Sequence, residues 1–146
     1  MPHITVPIHR FNGPVISLVV GVSFAKQAIL KKQGITAPSS VIMSFLVDSG
    51  ASHTVVDADS IAPLGMNPTG VTYIHTPSTG ETPVAVQQYD VSLFLHHPDN
   101  SKMIPNLAVT ASDFSKQNIQ GLLGRDVLEH CLLVYDGRAN SFALAF

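Results

Sequence analysis

The sequence predicts a mainly β fold, built as a single domain over residues 1–146. Three observations carry this. Apolar residues alternate with polar ones at a period of two, as in Ile4-Val6-Ile8 and Ile16-Leu18-Val20. Clusters of Pro, Gly, Ser and Thr separate these stretches, most clearly between Pro77 and Pro83. Helical signals are confined to short segments bounded by Pro or Gly.

Residues 4–8 are expected to form an edge strand, where Pro7 is tolerated because an edge residue need not donate its N–H. A second strand is expected over 14–24. Its other reading is a targeting signal, since the segment is apolar and follows His9 and Arg10. It is too short to span a bilayer, and Lys26-Gln27 stands where a signal peptide needs small residues. Residues 25–40 carry three lysines and read as a polar connection with at most a short helical turn. Val41 to Val47 is nearly all apolar, as a strand buried on both faces would be.

Beyond Val56, Asp57 and Asp59 open a short helix that Pro63 limits and Gly65 ends. Residues 71–76 and 83–95 form a hairpin with a polar tip, and 104–110 form another strand. Asp126 and Glu129 have the spacing of a capping box, which predicts a short helix starting at Asp126. Leu132 to Tyr135, the turn signal Asp136-Gly137 and Ser141 to Phe146 close the chain as a last hairpin.

Composition excludes several classes of function. The net charge is −2 and no basic run exists, so no nucleic-acid partner is expected. One cysteine, Cys131, allows neither an internal disulfide nor a four-Cys zinc site, and it reads as a packing residue. The seven histidines include no His-Glu-x-x-His, and adjacent His96 and His97 would point to opposite faces of a strand. No metal and no cofactor is expected. Neither a phosphate-binding glycine loop nor a Gly-x-Ser-x-Gly elbow is present. Charged residues make up only 12%, so the surface is either neutral and polar or partly covered by a partner.

One stretch stands out chemically. Phe45-Leu46-Val47 runs directly into Asp48-Ser49-Gly50-Ala51-Ser52. An unpaired charge at the end of a buried strand costs several kcal/mol, roughly, so a chain that keeps one there uses the carboxyl. The bland alternative is a turn acid capping backbone N–H groups. The pattern occurs once, so chemistry needing two such carboxyls must take the second from another copy of the chain.

The Asp48 motif resembles the catalytic signature of aspartic proteases. Leu122-Leu123-Gly124-Arg125-Asp126 resembles the second hallmark of the retroviral type. Their order and separation, with a Gly-bearing hairpin between them, are similar to the single-domain retropepsin-like aspartic proteases. The resemblance implies a closed acid-protease barrel with a flap hairpin and one or two short helices. It implies a homodimer with one Asp48 from each copy, sharing a proton, activating water and hydrolysing peptide bonds in extended protein segments. Ser49 would link the two loops across the dimer, and Gly50 would admit close backbone approach. Ala51 and Ser52 would line the rim, and Ser78, Thr79, Gly80 and Glu81 would form the flap over the substrate. Thr54, Leu123, Gly124 and Arg125 would support the site.

Ser52 departs from the family pattern, because viral members commonly place there an acid that pairs with the arginine. Arg125 must therefore find another partner. Glu81 and the polar flap tip also depart from the glycine-rich viral flap. The expected function is that of a cytoplasmic aspartic endopeptidase. The alternatives are a non-cleaving dimerisation or peptide-binding module of the same fold, and a periplasmic or membrane-tethered enzyme. The strands 4–8 and 141–146 are expected to build an intersubunit sheet.

Overall fold

A computed structural model describes residues 1–77 and 80–146, and among these residues it contains ten strands and three short helices. In order they are β1 (His3–Pro7), β2 (Val15–Val22), α1 (Phe24–Lys32), β3 (Val41–Val47), β4 (Val55–Asp57) and α2 (Ala58–Ile61). A 3-10 turn (Ala62–Leu64) leads to β5 (Gly70–Ile74), β6 (Val84–Leu95) and β7 (Lys102–Ser112). The chain ends with β8 (Gly121–Leu123), α3 (Arg125–Leu128), β9 (Leu132–Asp136) and β10 (Ser141–Ala145).

The larger sheet runs β2-β3-β8-β4-β7-β6-β5, and β2 also pairs with β6. That extra pairing closes six strands into a barrel and leaves β5 outside, as the outer strand of a hairpin. Alternation decides what fills the barrel. Leu18 and Val20 on β2, Met43 and Phe45 on β3, Leu93 and Leu95 on β6 and Leu123 on β8 are all buried. Each such side chain contributes about 1.5–3 kcal/mol relative to exposure.

β8 sits parallel to β3 and antiparallel to β4. Gly121 makes this possible: a Cβ there would lie 2.6 Å from a ring carbon of Phe45 and 2.5 Å from the Val55 carbonyl oxygen. Three residues are too few to show a period, so nothing in the sequence marks β8 as a strand.

The smaller sheet runs β1-β10-β9. β1 pairs with β10 of its own chain, from His3 opposite Ala145 to Pro7 opposite Ser141. The terminal strands pair with each other within one chain, and β1 and β9 form the two outer edges of the sheet.

Other local expectations shift for identifiable reasons. The segment 14–24 is largely β2, a strand of the barrel wall. The connection after it contains the nine-residue helix α1, whose first turn is capped by the Ser23 hydroxyl accepting from the Lys26 N–H. None of its residues is buried, so no apolar stripe announced it. The helix after Gly124 starts at Arg125 with no side-chain cap, and the capping-box reading of Asp126 is not realised. In the last turn, the Asp136 carboxylate accepts from the N–H groups of Arg138 and Ala139, and the left-handed residue is Asn140 at φ 52°. The turn is thus longer than a two-residue Asp-Gly hairpin. Among the described residues no helix is long and apolar enough to cross a membrane.

Candidate active site

Asp48 leaves the end of β3 at the place where β8 runs alongside. Its N–H donates to the Leu123 carbonyl at 3.0 Å, so the parallel β3–β8 ladder continues one residue into the loop. The side chain is half-buried. Its Oδ1 accepts the Gly50 N–H at 2.9 Å, and the Ala51 N–H donates to the Asp48 carbonyl at 3.2 Å. This tight turn fixes one carboxylate oxygen. Oδ2 accepts no hydrogen bond among the described residues.

The loop is tied down at its far end by buried Thr54. Its hydroxyl donates to Asp126 Oδ1 at 2.7 Å and accepts from the Gly124 N–H at 3.1 Å. Its own N–H donates to Asp126 Oδ2 at 2.9 Å. Every polar atom of the Thr54 side chain is thereby used, which is what its burial requires. Gly124 is the contact point. A Cβ on it would fall 2.6 Å from the His53 carbonyl oxygen and 2.8 Å from the Thr54 nitrogen. Only glycine lets α3 start this close to the loop.

Arg125 completes the brace from outside. Its backbone N–H donates to the Ala51 carbonyl at 2.9 Å. Its Nη1 donates to the carbonyls of Ser49 at 2.9 Å and Gly50 at 3.3 Å. With Ser52 where an acid would pair with it, the guanidinium binds backbone carbonyls, and no carboxylate lies within ion-pair distance of it among the described residues.

Asp126 is the functional residue that sequence reasoning missed. An acid directly after Gly-Arg looks the same whether it caps a helix or reaches across to a threonine 72 residues away. A usable signal was the pair itself: a hydroxyl shortly after the acid motif and a carboxylate shortly after the second glycine.

The other expected site residues lie where the chain order puts them, but fewer contacts join them. Ala51 is half-buried and Ser52 exposed at the rim of the loop. The β5–β6 hairpin pairs from Gly70 opposite Gln88 to Ile74 opposite Val84. Gly80 adopts a left-handed φ of 61°, and Glu81 is exposed. Ser78 and Thr79, expected at the flap tip, fall outside the described residues. No hydrogen bond connects Gly80 or Glu81 to the acid loop among the described residues. Burial pushes the Cys131 thiol up from its ordinary pKa, which leaves it a poor nucleophile at neutral pH. Among the described residues no three His, Cys, Asp or Glu side chains gather as a metal site would need.

Residues 39–127, more than half of the chain, match the family model described as aspartyl protease. Among solved structures, the crystal structure of a retropepsin-like aspartic protease from Rickettsia conorii is similar with a TM-score of 0.61. The identity is 18%, over 99% of this chain and 90% of that chain. At that identity the likeness speaks for the fold, which is retropepsin-like: mainly β, with a closed barrel and few short helices. No curated protein matches the chain.

Proposed function

The chain belongs to the aspartyl protease family, and from that premise we propose that it is an endopeptidase whose active unit is a homodimer with one Asp48 from each copy. The observation that carries the reading is the state of the Asp48 carboxylate, with Oδ1 held by the Gly50 N–H and Oδ2 unengaged among the described residues.

Two such carboxyls facing each other across a two-fold axis cannot both ionise cheaply, so the pair holds one proton. The ionised member takes a proton from a water, and that water attacks the scissile carbonyl. The protonated member polarises the carbonyl oxygen and then helps protonate the leaving amine. Neither a covalent intermediate nor a metal enters. The protein's part is to hold the two acids still. The Thr54–Asp126–Gly124 bonds and the Arg125 brace support that role. An extended peptide would lie between the acid loops and the β5–β6 hairpins, and an open hairpin suits admission of a polypeptide.

Asp48→Asn tests this on an unfolded protein substrate. It keeps size and the Gly50 contact but removes the base, and hydrolysis should fall at least about a hundredfold. Full residual hydrolysis would overturn the assignment. Peptide binding with no turnover in the unaltered protein would point instead to a non-cleaving binding module. A dimeric site also requires specific activity to fall on dilution in step with dissociation, which sedimentation equilibrium beside a cleavage assay would follow.

A further inference from the structure

Residues 23–40 join β2 to β3, two antiparallel neighbours that a two-residue turn could connect. The chain instead builds α1 there, a helix with no buried residue. So short a helix is marginal by itself, yet both of its ends are fastened. Ser23 caps the first turn, the Ala25 N–H donates to Asn106 Oδ1 at 3.1 Å, and Gln27 Nε2 donates to the Val22 carbonyl at 2.9 Å. At the other end the Ile35 N–H donates back to the Leu30 carbonyl at 2.9 Å, past Gly34 at φ 70°. The helix is held firmly while its outer side stays uncovered. That side carries Lys26, Lys31 and Lys32 among Phe24, Ile29 and Ile35, which are 43%, 51% and 53% exposed. Its charge is unbalanced. Residues 1–47 contain Arg10 and these three lysines but no Asp or Glu, and all 10 acids of the chain begin at Asp48. Lys26 stands in the first turn, where the positive end of the helix disfavours a cation and no acid offsets it. Among the described residues none of the three lysines has a carboxylate within ion-pair distance.

We propose that α1 and the residues up to Ile35 form a docking surface, outside the catalytic groove, for an acidic segment of the polypeptide being cut. The proposal rests on the protease reading and gives it a substrate class. Charge complementarity selects the occupant. The lysines pair with carboxylates, and Phe24, Ile29 and Ile35 take up apolar side chains between them. Around the helix the exposed apolar residues are interrupted by lysines, so there is no continuous apolar stripe to sink into a lipid surface. The position suits a substrate that also reaches the acid loop. α1 follows the end of β2 that lies beside Val41, whereas Asp48 leaves the opposite end of β3. The strand between them rises roughly 23 Å. An extended polypeptide covers that length with about seven residues or more. Holding the acidic segment at α1 then raises the local concentration of the scissile segment at Asp48.

Binding is measured first without turnover, in the Asp48→Asn protein, by the anisotropy of a fluorescein-labelled glutamate-rich peptide with scattered leucines. The peptide should bind, and more weakly as salt rises. Lys26→Gln, Lys31→Gln and Lys32→Gln together should raise its Kd at least about tenfold. Tm should stay in place, because glutamine is as good a helix former as lysine. Equal binding by the triple variant overturns the proposal. So does lysine-dependent binding to phosphatidylserine vesicles or to single-stranded DNA with none to the peptide, which would give the surface to lipid or to nucleic acid. Turnover is read next, with two versions of one cleaved peptide. The first carries the glutamate-rich stretch about ten residues from the scissile bond, and the second has glutamines in its place. In the protein that retains Asp48, the triple substitution should raise KM for the first at least about fivefold, with kcat and the second peptide unaffected. Asp48-dependent hydrolysis in which both KM values ignore the lysines removes the docking surface and keeps the protease. Lysine-dependent peptide binding without Asp48-dependent hydrolysis does the opposite.

Discussion

The loop after β3 and the hairpin of β5 and β6 are built in opposite ways. Loop residues 48–54 are fastened at almost every step by groups from the last third of the chain: the Leu123 carbonyl, the Gly124 N–H, the Asp126 carboxylate and the Arg125 guanidinium. Thr54 is 1% exposed. β5 and residues 84–87 of β6 have their own ladder and little else, whereas the rest of β6 belongs to the barrel. Val71 and Tyr73 are 64% and 69% exposed. β5 is an outer strand without a second neighbour, so it and residues 84–87 are held less firmly than the acid loop. Under the proposed function the acid needs fixed surroundings and a polypeptide needs a way in, and the two regions would divide these demands.

The sharpest way to break the comparison is Gly124→Ala. The added methyl meets backbone at His53 and Thr54, which cannot swing aside as a side chain would. The expected loss is about 2–3 kcal/mol in chemical denaturation. A loss under about 0.5 kcal/mol, an ordinary surface value, would mean that the loop and the start of α3 separate freely.

Thr54→Val keeps the shape and deletes the hydroxyl. It strands the Gly124 N–H and one bond to Asp126, at a cost of about 1–3 kcal/mol. kcat should fall more than KM rises, because the loop's position matters most at the chemical step. The reverse pattern would show that Thr54 serves substrate binding instead. Smallest of all, Gly80→Ala puts a side chain on a residue at φ 61° and costs roughly 1 kcal/mol locally. If β5 and residues 84–87 open without the barrel, their amide exchange should quicken while the global Tm barely moves. A Tm drop matching that of Thr54→Val would erase the distinction between the two regions.

How legible each region was follows from the same division. β3 was readable to the residue from its nearly continuous apolar run, but burial on both faces was not realised: Met43, Phe45 and Val47 are buried while Ile42 on the other face is 72% exposed. The hairpin was readable from its turn residues and alternation. α1 was not, because a helix with no buried residue has no stripe to display. β8 was too short for any period. Asp126 was visible but misassigned, since its partner Thr54 is brought to it only by the fold. The terminal strands were rightly read as strands, but alternation alone carries no sign that β1 and β10 pair with each other within the chain. Long-range hydrogen bonds hold the site, and a linear pattern carries no record of which distant residues will meet.

The Thr54–Asp126 bonds join residues 72 positions apart, and this spacing has a consequence during synthesis. Asp48 leaves the ribosome long before the segment that anchors its loop. Until α3 has emerged and docked, the acid sits on a slack tether with no fixed geometry. Under the proposed function, the nascent chain and its neighbours would meet an unarmed loop until then. Arming would wait for the stretch that carries Asp126, 72 positions beyond Thr54, to be translated.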